Sequence, residues 1–316
     1  ENYIVEAIES VLDQGFKDLE LIIIDDHSTD SSGEIITSYA EKDSRIRIVF
    51  HDENVGISRT MNEAISMAEG TFIAFTASDD VWVEGKLEKQ MDITGEDEQV
   101  VVWSEGTVID AESDPIGISF TDLYKARRTK KSGDLFSSLV KGNFLCGPSI
   151  LIKKSSLGYI SYDEDMKYLA DYLVFLDLSS RYRFHFIPEP LAMYRVHGMN
   201  TNLRDSEGWE RDAIKVEEHF LRKYSDRLST RRKRFAVIRI IVAHLKLGER
   251  EKARRKFCLA IREHPLSFSS CLVVEIAREA YKMLHCLFNK IGLTPFLLKL
   301  RVKRMSISKR VNSRLT

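Results

Sequence analysis

No window of the sequence reaches the roughly 18 uninterrupted apolar residues that a membrane-crossing helix needs, and no secretory leader is recognisable. Cysteine is scarce and scattered. Cys146, Cys258, Cys271 and Cys286 form no C-x-x-C pair and are accompanied by no histidine at zinc-finger spacing. Neither a disulfide framework nor a structural zinc site is expected, and the thiols read as reduced, in a cytosolic protein. An excess of one charge is missing as well: a formal net charge of −1 gives no reason to expect nucleic acid as a partner. A starting methionine is also lacking. The chain opens on Glu1 inside an amphipathic helical pattern, so a preceding segment is expected. What is present, 316 residues that are 43% hydrophobic and 30% charged, suits a soluble globular protein of about two domains.

The stretch that organises the rest is residues 21–30, LIIIDDHSTD. Four aliphatic residues in a row read as a short strand buried on both faces. Asp25 and Asp26 fall at its end, and Ser28, Thr29 and Asp30 supply turn and N-cap chemistry for a helix over 31–41. Helical spacing over 3–14 precedes this strand, and an extended run at 45–50, a helix at 57–68 and an apolar strand at 71–76 follow it. The last strand also ends in paired acids, Asp79 and Asp80. Strands alternating with helices of this length imply βαβ units and a mostly parallel sheet, which brings both acid pairs to one sheet edge. For Asp30 a helix cap explains the acid well enough. Adjacent carboxylates at a buried strand end cost stability unless a ligand offsets them. Two acids would repel a bare phosphate and better suit a base, a sugar hydroxyl or a metal. Carboxylate oxygens are the ligands that Mg2+ or Mn2+ prefers, with phosphate oxygens completing the shell.

Taken together, EAIESVLDQ, LELIIIDDHSTDSS, NVGISRTMNEAI and GTFIAFTASDDVW, in this order over residues 3–87, resemble the catalytic domain of family 2 glycosyltransferases, inverting enzymes of the GT-A fold. The likeness extends to about residue 202. It implies an α/β class with a Rossmann-like mixed, mostly parallel sheet flanked by helices. Asp25, Asp26 and Ser28 would hold the base and ribose of a nucleotide-diphosphate sugar, a UDP-sugar by first expectation. Ser78, Asp79 and Asp80 match the DxD-type motif, whose acids bind ribose and the Mn2+ or Mg2+ that bridges the diphosphate. Which of Asp79 and Asp80 faces the metal stays open, because Ala77 stands where related chains carry an acid. Arg59 lies two positions before the family's usual arginine site, here Met61, and reads either as a phosphate contact or as a solvated charge. The family's first strand would precede Glu1.

Further along, 82–92 reads as a helix and 99–109 as strand, turn and strand. Residues 112–134 are polar and read as a mobile loop over the site or a plain solvated connector. Asn143, Cys146 and Ser149 fall in the region that the resemblance places beside the acceptor. Asp171, in a half-buried helical run, occupies the position of the family's general base, although Ala170 replaces the glutamate that usually precedes it; the alternatives are Asp177, further along the helix, as the base, or a structural role for Asp171. His197, in a Tyr-Arg-x-His run, is either a structural histidine or a group near diphosphate and metal.

These readings define a catalytic domain over 1–204 and a helical region over 205–316. Within the latter, 238–265 has the pattern of one tetratricopeptide-type hairpin. From Ala280 the chain carries nine Lys or Arg and no acid, so 280–316 reads as a basic amphipathic tail, either on an anionic membrane or solvated. The expected activity is transfer of a hexose to a hydroxyl of a polysaccharide or lipid-linked glycan, at the inner face of the cell membrane. The rivals are a nucleotidyltransferase, which should show a basic Gly-rich phosphate loop, and a noncatalytic glycan-binding scaffold. The absence of a Q-x-x-R-W motif argues against a processive synthase.

Overall fold

The structure, a computed structural model, describes residues 1–94, 101–126, 129–198, 200 and 205–263. The tail at 280–316, with Cys271 and Cys286, lies outside them. The chain divides into two compact units, the first ending at Asp212 and the second beginning at Ala213.

The first unit opens with helix α1 (Ile4–Leu12), strand β1 (Leu21–Asp25), helix α2 (Ser32–Ala40), strand β2 (Ile46–Phe50), helix α3 (Ile57–Met67) and strand β3 (Phe72–Ala74). Each lies within two residues of its expected bounds at either end. β1 and β2 pair in parallel, Leu21 opposite Ile46 through Asp25 opposite Phe50. They form a two-stranded sheet of their own, while β3 belongs to a second, mixed sheet. That sheet runs β3, β7 (Leu151–Lys153), β5 (Val101–Ile109), β8 (Phe184–Arg195) and β4 (Val81–Trp82), with β6 (Pro115–Ser119) on β5. Only β5 and β8 are parallel in it; the other pairs are antiparallel. The α/β class and the mixed sheet hold, but the larger sheet is mostly antiparallel and the two acid pairs follow strands of separate sheets, not one sheet edge.

Helix α1 splints the two sheets. Ile4 and Ile8 pack with Ile36 and Ile46 on the first, while Ser10 Oγ accepts the Trp82 N–H at 3.1 Å and Gln14 Nε2 donates to Val83 O at 3.1 Å on the second. Ile4 and Ile8 share one helix face at i, i+4 spacing, while Ser10 lies on another and Gln14 just beyond the helix end. Val101, Val102, Trp103, Val108 and Ile109 of β5 are fully buried, so the sheet centre is the core of this unit.

Four local expectations change. Val81 and Trp82 are not helical but pair with Met193 and Ala192 of β8; helix α4 (Lys86–Thr94) starts only after Gly85, at φ +75°. The anticipated turn inside 99–109 is a bulge: β5 runs through, and its register on β8 shifts at Glu105. Opposite that shift β8 takes in Pro188 and Pro190, which lack the N–H a regular ladder would use. The polar loop at 112–134 contains an ordered strand, β6, and helix α5 (Phe120–Leu123). Finally, helix α8 (Ala170–Ser179) is buried almost all round rather than on one face. Helices α6 (Phe136–Leu139) and α7 (Lys154–Leu157) are single turns.

A helix at Ser206–Lys223 follows. In the second unit, helices Thr230–Lys246 and Arg250–Glu263 form the anticipated hairpin, turning at Gly248 with φ +72°. Ile238, Ile241, Val242, Ala253 and Ala260 make its core, with Phe257 against them.

Candidate active site

At the end of β1 the two adjacent acids part company. Asp25 accepts hydrogen bonds from Ser28, through the backbone N–H at 3.2 Å and through its hydroxyl. Asp26 turns to the chain itself. Its carboxylate takes the N–H groups of Val55 and Gly56 at 2.8 and 2.9 Å, and His51 Nδ1 lies 2.8 Å away. Burial pushes the Asp26 carboxyl up, but the bonds from His51, Val55 and Gly56 outweigh it and hold its pKa below the ordinary value. His51 Nε2 meets Glu63 at 2.9 Å, and the two carboxylates raise the imidazole pKa. Asp26 therefore anchors the 51–56 loop and the start of α3, whereas Asp25 bonds within its own turn to Ser28. Arg59 is exposed on α3.

The second acid pair divides in the same manner. Asp80 is 3% exposed and accepts the Arg195 backbone N–H at 3.0 Å. Burial, reinforced by the charge of Asp79, pushes its carboxyl up to about 7. Asp79 faces outward, its side chain 27% exposed, with His197 Nε2 at 3.0 Å and Asn200 Nδ2 at 3.4 Å. Among the described residues no three or more His, Cys, Asp or Glu converge as a complete metal cage. A carboxylate beside an imidazole still offers oxygen and nitrogen donors of the kind Mn2+ accepts, and such ions often take only one or two protein ligands plus phosphate oxygens. The residues present fit a divalent ion shared with a diphosphate.

Arg195 holds this turn in place. Its side chain is fully buried. Nε donates to Asp79 O at 2.7 Å, Nη1 to Asp110 O at 3.2 Å and Ser113 Oγ at 2.8 Å, and Nη2 to Glu6 at 2.6 Å. Tyr3 stacks across the guanidinium at 4.6 Å and on His197 at 4.9 Å. One side chain thus joins β8, the acid turn, the 110–113 loop and α1.

Asp171 stands in the first turn of α8. Burial pushes its carboxyl up to about 6, against a hydrogen bond from the Tyr172 N–H at 2.6 Å. Asn143 Nδ2 lies 3.5 Å from it, so of the three residues expected near the acceptor, Asn143 meets the candidate base. The other two are corrected. Cys146 is 1% exposed, packed with Phe120 and Ala192, and Ser149 is fully buried with its hydroxyl between Ser104 O at 3.0 Å and Cys146 O at 2.7 Å. They brace the sheet and line no opening.

The approach to α8 is fixed from two sides. Asn62 on α3 exchanges hydrogen bonds with the Tyr162 backbone at 2.9 and 2.8 Å. Asp212, 4% exposed, gathers the N–H groups of Lys167, Tyr168 and Leu169 on one oxygen at 2.9, 2.6 and 3.1 Å. Neither Asp212, His51 nor Arg195 was singled out by motif. Arg195 is the arginine of the Tyr-Arg-x-His run; His51 sits in a polar turn, and Asp212 in a helical run whose periodicity marks no single acid.

Residues 1–159 match the family model "Glycosyl transferase family 2". An uncharacterized glycosyltransferase of Rickettsia typhi is 33% identical over 222 residues, covering 66% of this chain and 65% of the relative. TuaG of Bacillus subtilis, a glycosyltransferase named for teichuronic acid biosynthesis, is 43% identical over 91 residues, 29% of this chain and 36% of the relative. The chain thus spans less than two thirds of the length of these relatives. Among solved structures, S. aureus TarS 1-349 in complex with UDP-GlcNAc superposes with a TM-score of 0.57 at 18% identity, covering 78% of this chain and 70% of that one. The mannosyltransferase PcManGT of Pyrobaculum calidifontis, in complex with GDP-Man and Mn2+, gives 0.53 at 17% identity, covering 96% and 83%. These likenesses establish the GT-A fold.

Proposed function

The chain belongs to glycosyl transferase family 2, and from that membership we propose that it moves one sugar, with inversion, from a nucleotide-diphosphate donor to a hydroxyl of a glycan acceptor. The observation that carries this reading is the division of the second acid pair. Asp80 is spent inside on the Arg195 backbone, and Asp79 turns out beside His197. Support for the donor class comes from structural neighbours that hold UDP-GlcNAc and GDP-Man; a UDP-sugar is the first candidate. In this reading Asp25 and Ser28 take the nucleoside, with Arg59 near the phosphates, and Asp79 and His197 hold Mn2+ or Mg2+. Once bound, that ion supplies charge neutralisation for the leaving diphosphate.

Asp171 does the protein's share of the proton chemistry. Its carboxylate takes the proton of the acceptor hydroxyl while that oxygen bonds to the anomeric carbon, and the bond from that carbon to phosphate oxygen breaks on the opposite face. The diphosphate leaves with the electron pair. A base raised to about 6 is ionised at neutral pH yet basic enough to accept the proton in the transition state. Asn143 orients it. The acceptor class is a polysaccharide or a lipid-linked glycan, and contact of residues 280–316 with the cytoplasmic face of an anionic membrane belongs to the same proposal.

Asp171→Asn should keep nucleotide-sugar binding, followed calorimetrically, and lower transfer or donor hydrolysis by at least about a hundredfold. In the parent, the rate should climb as pH rises through about 6. Near-normal turnover of the variant would remove Asp171 from the role.

A further inference from the structure

Beside the outward acid and its histidine stands Asn200, which carries no motif of its own. Its side chain meets three partners. Oδ1 accepts the His197 backbone N–H at 2.6 Å, while Nδ2 reaches Asp79 Oδ2 at 3.4 Å and donates to Arg195 O at 3.2 Å. The Asn200 N–H in turn donates to His197 O at 3.2 Å, closing the turn between the two residues. The partners fix which way the amide points: reversed, it would set its NH2 against an N–H and its oxygen against two acceptors.

What Asn200 holds is a spacing. His197 Nε2 and Asp79 Oδ2 lie 3.0 Å apart. With bonds of about 2.1 Å, donors at that separation subtend about 90° at a divalent ion, the angle between neighbouring positions of an octahedron. Arg195 fixes the acid turn from below, through Asp79 O at 2.7 Å and, from its backbone N–H, Asp80 at 3.0 Å. Tyr3 lies against the His197 ring at 4.9 Å. Asn200 bonds to both members of the pair, to the carboxylate of one and the backbone of the other. An imidazole in a turn has rotamers to lose, and fixing them before an ion arrives removes that cost from binding.

We propose that Asn200 is a positioning residue of this site, holding His197 and Asp79 at the separation a divalent ion needs. The inference rests on the reading of Asp79 and His197 as ion ligands. Partners of this outer kind orient the ligands themselves, and their loss commonly costs a metal site about 10- to 100-fold in affinity. A turn that served the fold alone would use the bonds to His197 and Arg195 O, but has no need of an amide aimed at the Asp79 carboxylate.

The test uses the full chain, Asn200→Ala, His197→Ala and the double variant. Mn2+ is titrated into each at saturating UDP or GDP, whichever raises the parent's Tm more, and the unbound ion is counted by electron paramagnetic resonance against a nucleotide blank. Asn200→Ala should bind Mn2+ at least about tenfold more weakly than the parent. Because Asn200 acts through His197, the double variant should bind much as His197→Ala does, well short of the product of the two single losses. Equal Mn2+ affinity in the parent and Asn200→Ala would overturn the proposal, and so would losses that multiply in full. Far-UV circular dichroism accompanies each chain; a changed spectrum in Asn200→Ala would assign the residue to the fold and overturn the proposal as well. No Mn2+ uptake by the parent with either nucleotide would sink the ion-ligand reading itself, a result distinct from uptake that Asn200→Ala leaves unaltered.

Discussion

In each acid pair one carboxylate is taken up by the chain itself, Asp26 by Val55, Gly56 and His51, and Asp80 by the Arg195 backbone. Asp26 and His51 illustrate the inward member. His51 spans Asp26 and Glu63 at 2.8 and 2.9 Å, and its folded pKa is raised above the ordinary 6.5. Its contribution to stability is therefore complete below pH 6.5 and fades as pH rises through the raised value. Asp26 is the reverse case, lowered below 3.8, so its share is present above pH 3.8 and is lost as pH falls through the depressed value. The latch is firmest between those limits. His51→Phe should cost about 1–3 kcal/mol at pH 5.5 by urea unfolding, and the gap to the parent should narrow by pH 9. A gap independent of pH would show that His51 serves only as packing.

At the scale of elements, the position of Asp171 is a property of what leads into α8. Asp212 collects three successive N–H groups ahead of that helix, and α3 holds the preceding segment through Asn62. Removing a buried acceptor leaves its donors unsatisfied, so Asp212→Ala should destabilise the chain by about 1–3 kcal/mol. The loss should be local first, read as faster hydrogen exchange at residues 167–169, with β5 amides unchanged. Uniform loosening across the sheet would refute a local role. Strands and helices up to residue 76 were legible because apolar periodicity and strand-end acids are local signals. β4, the bulge at Glu105 and the ordered β6 were not, because pairing with β8 and the Glu105–Thr121 bonds are long-range choices that override local composition.

Over the whole first unit, α1 and Arg195 connect what the strand order leaves apart. The family likeness could be read from four motifs in order. Arg195 could not, since a fully buried arginine looks, in sequence, like any basic residue beside a tyrosine. Its loss would free the acid turn, the 110–113 loop and α1 together. Arg195→Ala should cost about 3–5 kcal/mol in chemical unfolding, and Arg195→Lys should recover only part, because an ammonium cannot reproduce the fork; full recovery would reduce Arg195 to a point charge. The central claim is that Asp79, turned outward beside His197, makes this a metal-assisted nucleotide-sugar site. It is tested most directly by thermal unfolding of the full chain with UDP-GlcNAc and GDP-mannose, each with and without Mn2+, in the parent and in Asp79→Asn. The account predicts that a nucleotide sugar raises the parent's Tm, that Mn2+ raises it further, and that the variant loses the Mn2+ increment. A variant that keeps the whole increment, or a parent stabilised by neither donor, would contradict it.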